Sequence, residues 1–350
     1  MVDKVINING VKIGKEQPVF TIAEAGVNHN GQMKVAKQLI DEAKKVGADA
    51  IKFQTFKAKD LVTKKCEMAN YQKKNIGEEK SQYEMIKERE LSYEEFEELK
   101  RYCDEEGILF LSTPHTINAA EFLEHLVPIY KIGSGDLTNI PFLEKIAKKG
   151  KPIILSTGMG TLGEVEEAVE TINKVCNEDL ILLHCVTNYP TPLDKINLRA
   201  MLTLRDAFKT LIGYSDHTLG ISAPIAAVSL GAKVIEKHFT LDKSMKGPDH
   251  KASLESDEFK HMIEEIRQLE KGLGDGVKRP TEDEEEIKKV ARKSIVAKED
   301  ISKDSVLEKH QLDIKRPGIG IKPKHFKKLI GKKARYDIKK DELITWDMID

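Results

Sequence analysis

Residues 5–13 alternate apolar and polar positions on either side of Asn9-Gly10, a dipeptide suited to a two-residue hairpin turn because both positions tolerate positive φ. This predicts an N-terminal hairpin placed to cap one end of the main fold. Beyond it, short β-rich runs alternate with stretches whose apolar positions recur at helical spacing. That is the form of repeated strand–helix units around a parallel sheet. Eight runs are present, at residues 19–25, 50–54, 108–112, 129–132, 153–156, 180–185, 211–214 and 233–236. Eight such units close an α/β fold of the (β/α)8 TIM-barrel type. A Lys-, Glu- and Gln-rich insertion at 57–89 reads as a loop with local helix over an active-site mouth. The eighth helix, near 257–269, runs into a Gly-rich and then acidic stretch, which predicts a catalytic domain over 1–275 and a linker over 276–289. In the remaining 290–350, Ala297-x-x-Asp300-Ile301-x-Lys303-Asp304 recurs as Ala334-x-x-Asp337-Ile338-x-Lys340-Asp341. Two similar halves packed about a pseudo-twofold axis would make a compact second domain.

Length and charge agree with this division. The chain has 350 residues, beyond the size of about 250–300 at which one hydrophobic core stops growing. Lys+Arg 57 against Asp+Glu 58 leaves a net charge of −1, which gives no pull toward nucleic acid or anionic membrane and points to a small-molecule partner. Neither a signal-peptide core nor a run of 18 apolar residues occurs, so the expectation is a soluble, cytoplasmic protein. Cys66, Cys103, Cys176 and Cys185 form no C-x-x-C pair and read as reduced, buried thiols.

Polar residues gather where the apolar runs stop: Glu24, Lys52 and Gln54, Thr113, Lys131 with Ser134 and Asp136, Ser156, His184 with Thr187-Asn188-Tyr189, Ser215 with His217, and Glu236 with His238. A barrel brings its strand ends to one mouth. Because side chains alternate across a strand, Val234, Glu236 and His238 share a face. If that face is the interior, His217 and His238 meet on adjacent strands as a metal-ligand pair, and a divalent-metal enzyme is the first reading. The hydroxyls of Ser134, Ser156 and Ser215, with Lys52 and Lys131, suit an anionic, phosphorylated ligand. A lysine inside an apolar strand calls for an anion, because burying an unpaired ammonium is expensive. His29 and His184 either orient a substrate or fill a polar pocket. His115, His125, His250, His261, His310 and His325 read as surface or loop residues.

These motifs resemble the sialic acid synthases, including N-acetylneuraminate and legionaminate synthases. The resemblance rests on Ala23-Glu24-Ala25-Gly26-Val27-Asn28-His29-Asn30-Gly31, Lys52-Phe53-Gln54-Thr55, Lys131-Ile132-Gly133-Ser134-Gly135-Asp136, Leu155-Ser156-Thr157-Gly158-Met159, Tyr214-Ser215-Asp216-His217-Thr218, Glu236-Lys237-His238-Phe239-Thr240 and Gly247-Pro248-Asp249-His250. The tail, with Lys315-Arg316-Pro317-Gly318-Ile319-Gly320 and its duplicated halves, resembles the antifreeze-like SAF domain of that family. The resemblance implies a transferase that condenses phosphoenolpyruvate with an N-acetylated amino sugar, either N-acetylmannosamine or a diacetamido trideoxyhexose. It implies Mn2+, with Mg2+ or Co2+ as alternatives, on His217 and His238. Glu24, Asp136 and Lys52 would be catalytic. Thr113, Lys131, Ser134, Ser156, Thr187, Asn188, Ser215 and Glu236 would face phosphoenolpyruvate, and Tyr189 and Asp249 the sugar. It further implies a domain-swapped homodimer in which Arg316 reaches the sugar's N-acetyl group. Asp136 stands where Glu is common and His115 where Phe is common, differences that would bear on sugar preference. A metal-dependent pyruvate aldolase on the same barrel and a non-catalytic sugar-binding protein are the competing readings, and the intact Glu24, His217 and His238 argue against the second.

Overall fold

A computed structural model describes residues 4–77, 80–175 and 179–350; Cys176 lies outside the described residues. The first strands, β1 (Val5–Ile8) and β2 (Val11–Gly14), form the expected antiparallel hairpin about Asn9-Gly10. Eight parallel strands follow: β3 (Phe20–Gly26), β4 (Ala50–Thr55), β5 (Leu109–Pro114), β6 (Tyr130–Ile132), β7 (Ile153–Ser156), β8 (Leu180–Cys185), β9 (Leu211–Asp216) and β10 (Val234–His238). Their order is β5-β4-β3-β10-β9-β8-β7-β6. The last strand therefore pairs with the first, and β5 lies beside β6 to complete the ring. The (β/α)8 fold class read from the eight runs holds.

Alternation along each strand sorts side chains between two cores. Outward residues such as Ala23, Ile51, Phe110, Leu155, Leu182 and Ile235 pack under the surrounding helices. Inward residues Ile22, Ala50, Leu111, Ile129, Ile154, Ile181 and Val234 form a second core inside the barrel. Ile6, Ile8 and Ile13 of the hairpin belong to that inner core, so the hairpin plugs the N-terminal end. Burying each of the three isoleucines contributes about 1.5–3 kcal/mol relative to leaving it exposed. Outer helices begin at capping boxes: Ser92 with Glu95 and Thr161 with Glu164 satisfy two end groups each.

Strand ends differ from the sequence reading in a way that matters. β5, β9 and β10 each run two residues further than the apolar runs, so Thr113, Ser215 and His238 are held by ladder bonds rather than by turns. The insertion carries three short helices, Ala58–Leu61, Asn70–Ile76 and Gln82–Lys87, with Met68, Ile76 and Met85 as a small core of their own.

The chain divides into two compact units, Met1–Gly274 and Asp275–Asp350. The stretch read as a linker contains a helix, Glu282–Ala291, capped reciprocally by Thr281 and Glu284. Its acidic first turn, which looked like linker composition, favours the positive end of a helix dipole. In the second unit β11 (Ser294–Ala297) and β12 (Leu312–Lys315) pair antiparallel. Ile301 and Ile338, equivalent positions of the duplicated halves, exchange two main-chain hydrogen bonds of 2.8 Å each, the pairing a local twofold axis produces. No helix among the described residues is long and apolar enough to cross a membrane.

Gly213 faces the inner core, and a Cβ there would sit 2.4 Å from the Val234 carbonyl oxygen and 2.6 Å from Leu183 Cδ2. Gly213→Ala should therefore cost about 1–3 kcal/mol by overpacking, read as a lower urea midpoint at unchanged m value.

Candidate active site

The inward positions change character two thirds of the way up the barrel. Above the apolar layer, the same alternation presents Glu24, Lys52, Thr113, Lys131, Ser156, Cys185, Ser215 and Glu236, and all of them line one cavity of about 330 Å³. Four are charged and almost fully buried. Lys52 Nζ lies 2.6 Å from Glu24 and 3.7 Å from Glu236, and Lys131 Nζ lies 3.5 Å from Glu236. Hydroxyls complete the set: Lys52 donates to Thr113 Oγ1 at 3.1 Å, Lys131 to Ser156 Oγ at 2.8 Å, and Ser215 to Glu236 at 3.0 Å. Gln54 Nε2 donates to Glu24 at 2.9 Å.

The four groups are not equally compensated. Desolvation opposes the charge on Lys52, but Glu236 and Glu24 overcome it and hold its pKa above the usual lysine value. Desolvation also opposes the Glu236 carboxylate, and Lys131 and Lys52 outweigh it and lower its pKa. Glu24 is pushed up by burial, against the pull of Lys52. Lys131 is pushed down by burial, with Glu236 as its main counter-charge. Lys131 is thus the cation that gains most from an incoming anion.

Beside Lys131 the wall is built for close approach. A Cβ on Gly158 would fall 2.4 Å from Thr187 Oγ1 and 2.8 Å from both Cys185 Sγ and Ser134 Oγ. Only glycine fits there, because those side chains already fill the space a Cβ would take. The Gly158 N–H donates to Ser134 Oγ at 3.0 Å, and Thr187 Oγ1 is buried there with no protein partner.

Across the cavity, His217 and His238 stand with ring centroids 5.5 Å apart. The His217 Nδ1–H donates to the Val186 carbonyl oxygen at 2.7 Å, which leaves the Nε2 lone pair available. Buried His238 Nδ1 has no protein partner. Burial lowers the His217 pKa to about 4, and burial with the neighbouring cations keeps His238 well below the usual range. Two neutral imidazoles with lone pairs to offer are a donor set that can take a divalent transition-metal cation. Among the described residues no group of three or more His, Cys, Asp or Glu side chains is gathered for a metal, so this pair is what the protein itself presents.

Above the imidazoles, the Tyr189 ring lies 4.0 Å from His217 and 5.0 Å from Tyr71 of the insertion. Asp249 is buried beside them, its pKa raised to about 7 by desolvation and by repulsion from Glu24, against Arg89. At neutral pH its carboxyl is therefore partly protonated and able to donate. Leu61, Val62, Met85 and Ile86 of the insertion form an apolar outer wall.

Of the residues named from sequence, thirteen line this cavity: Glu24, Lys52, Thr113, Lys131, Ser134, Ser156, Thr187, Tyr189, Ser215, His217, Glu236, His238 and Asp249. Three do not. Asp136 closes the 3-10 turn Ser134–Asp136, and its carboxylate accepts from Asn139 at 2.9 Å. Asn188 is exposed in a turn, where its carbonyl accepts from Thr191. Arg316 lies exposed in the second unit, directly after β12. Two histidines read as surface or loop residues lie in loop segments but not at the surface. His250 is fully buried, 2.7 Å from Thr240 Oγ1 and 3.2 Å from Asn30 Nδ2. His115 lines the cavity, and burial with Lys52 and Lys131 lowers its pKa to about 4. His29 is buried and accepts from the Gly31 N–H, and His184 bonds the Ile196 carbonyl. Gln54, named at the mouth without a role, lines the wall as well, and Cys185 and Tyr71 join it without having been named as site residues. Strand alternation would have found Cys185; Tyr71 had no periodic signal.

The fold and its mouth define a class of protein: a parallel (β/α)8 barrel with a buried, hydroxyl-lined pair of lysines beside two neutral imidazoles. The chain belongs to the NeuB family, whose pattern it matches over residues 39–278, and residues 292–350 match the SAF domain. It is 48% identical over 326 residues to the N,N'-diacetyllegionaminic acid synthase of Campylobacter jejuni, covering 92% of this chain and 98% of that one. It is 45% identical to the enzyme of the same name from Legionella pneumophila, over 98% of each chain. Among solved structures, the N-acetylneuraminic acid (sialic acid) synthetase of Leptospira borgpetersenii superposes with a TM-score of 0.73 at 38% identity, over 81% of this chain and 95% of that one.

Burial lowers the pKa values of His29 and His250 to about 4, against 6.5 when unfolded. Between those values the unfolded chain binds more protons, so stability should fall as pH drops from 6.5 toward 4. The slope approaches about 1.4 kcal/mol per pH unit for each group. Urea unfolding of the wild type and of His250→Gln at pH 7 and pH 5 reads this, with a shallower loss expected in the variant.

Proposed function

We propose that the protein condenses phosphoenolpyruvate with the open-chain aldehyde of an N-acetylated amino sugar, forming a nonulosonic acid and releasing phosphate by C–O cleavage. The observation that carries this reading is Lys131, a buried cation with incomplete compensation, set in a cavity that Ser134, Ser156 and Thr187 also line. A phosphate or carboxylate there would give Lys131 a second counter-charge and satisfy the unpartnered Thr187 hydroxyl. The synthases named among its relatives support the same reaction type.

In this reading Lys131, Ser134, Ser156 and Thr187 hold the anionic ends of phosphoenolpyruvate, and Lys52 and Thr113 flank them. His217 and His238 would hold Mn2+ or a similar ion, which when bound supplies Lewis-acid polarisation of the acceptor aldehyde. C3 of phosphoenolpyruvate attacks that carbon, and the cationic character left at C2 is quenched by water before phosphate departs. Glu24, raised in pKa by burial and oriented by Lys52 and Gln54, is the carboxyl placed to carry a proton. Asp136 lies outside the cavity, so the acid–base role falls to Glu24. Tyr189 and Asp249 face the acceptor. Holding both substrates in register contributes on the order of 7–11 kcal/mol to lowering the barrier.

The apolar part of the wall, from Leu61, Val62, Met85 and Ile86, favours a diacetamido trideoxyhexose over N-acetylmannosamine, because a C6 methyl replaces a hydroxymethyl whose hydroxyl those side chains would leave unpaired. With phosphate release as readout, kcat/KM for the diacetamido sugar should exceed that for N-acetylmannosamine by about ten-fold or more. Turnover with pyruvate in place of phosphoenolpyruvate would overturn the reading in favour of an aldolase, and no turnover with either donor would favour a binding protein. Lys131→Met should raise the KM for phosphoenolpyruvate about 100-fold, corresponding to a lost charge-assisted contact, while the KM for the sugar changes little. The reading includes a homodimer, which sedimentation of the full chain tests.

A further inference from the structure

We infer that the ion pair between Asp216 and Lys237, on the outer face of the barrel wall, is a positioning device that sets the separation of the two imidazoles; this rests on the metal role proposed above for His217 and His238. Asp216 directly precedes His217 and Lys237 directly precedes His238. The β9–β10 register sets Lys237 opposite Asp216. Alternation sends the imidazoles inward to the cavity and this pair outward, where both side chains are completely buried.

The bonds of the pair enclose His217. The Asp216 carboxylate accepts from the Thr218 N–H at 3.0 Å, the Thr218 hydroxyl at 3.1 Å, the Lys237 ammonium and the Tyr214 hydroxyl. Lys237 also donates to the Thr218 carbonyl at 2.7 Å. The residue before His217 is thereby locked to the residue after it, and both to the residue before His238. With the His217 ring held on the Val186 carbonyl, little freedom remains in the imidazole separation.

Energetics give this a reason. Neither Asp216 nor Lys237 lines the cavity, so substrate does not use them. A buried ion pair carries a desolvation penalty of several kcal/mol per ion, and apolar replacements of similar volume are often as stable or more so. Stability alone does not favour keeping the pair here. Direction does: each charge has one geometry that satisfies it, whereas an apolar pair tolerates sliding. Metal ligands need that fixity, because distances are held within about 0.2 Å and supporting groups that slip weaken binding by about 10–100-fold.

The test uses the full chain and Mn2+, with the electron paramagnetic resonance signal of the free ion reporting its Kd. The double variant Asp216→Leu/Lys237→Met exchanges the pair for an apolar one. Its thermal midpoint should equal or exceed that of the wild type, while Mn2+ binds about ten-fold or more weakly. A folded double variant with wild-type Mn2+ affinity overturns the inference. Should that variant not fold, Thr218→Val removes one hydroxyl from the ring of bonds without stranding a charge. A weaker Mn2+ affinity of a few-fold is then expected, and an unchanged one overturns the inference. His238→Ala separates this from the metal reading. If wild type and His238→Ala bind Mn2+ alike, the metal reading itself falls and takes this inference with it. If only His238→Ala loses binding, the positioning role alone is refuted.

Discussion

The structure depends on one layer of buried charge. Two lysines and two glutamates sit inside the barrel on top of an apolar plug, and each costs several kcal/mol to desolvate unless paired. The pairs Lys52–Glu24, Lys52–Glu236 and Lys131–Glu236 connect β3, β4, β6 and β10 across the lumen. A slip of one residue in any of these strands would turn its charge out against the helices and leave its partner uncompensated. Strand register, lumen polarity and site geometry are therefore one constraint. The plug of hairpin isoleucines and inner-core residues beneath keeps water from entering below and preserves the strength of those interactions.

That layer also explains where an anion goes. Four charges sum to neutrality, yet they are unevenly shared: Lys52 touches both glutamates, while Lys131 leans on Glu236 alone. Symmetric pairing would have made a closed structural network with no use for a ligand. The unshared positive character of Lys131 falls in the cavity that Ser134, Ser156 and Thr187 also line. On the opposite wall the histidines are neutral because they are buried near cations, and a neutral imidazole is the form that donates a lone pair. The same desolvation that threatens the lysines prepares the histidines.

Much of this was legible in the sequence because strands impose a period of two. Val234, Glu236 and His238 could be set on one face from alternation alone, and the eight apolar runs fixed the number of strands. Strand ends were less legible: polar residues such as Thr113, Ser215 and His238 continue a ladder for two residues after hydrophobicity stops, and composition cannot distinguish that from a turn. Asp136 and Asn188 sit close in sequence to true lining residues, but a 3-10 turn and an exposed turn carry them out of the cavity. His250 looked like a loop residue because nothing in its neighbourhood announces that Gly247 packs directly against its ring, where a Cβ would fall 2.5 Å from His250 Cδ2. The acidic stretch at 282–286 has linker composition, and only its Thr281 cap marks it as a helix start.

The insertion was the least legible segment and supplies much of the outer wall of the cavity, and the two facts have one cause. Its short helices pack on a core of only a few residues, Met68, Ile76 and Met85, so no long period is written into it. For the same reason its residues are free to vary without disturbing the barrel. In the reading proposed above, chemistry shared by every acceptor belongs on strands whose register the buried charges fix. Recognition of the part that differs between acceptors then belongs on the element with least obligation to the core. Tyr71 against Tyr189 is the contact where the two meet: one ring from the insertion, the other from the β8 loop beside His217. A change of acceptor can thus be accommodated on one side of that stack while the imidazoles and lysines on the other keep their places.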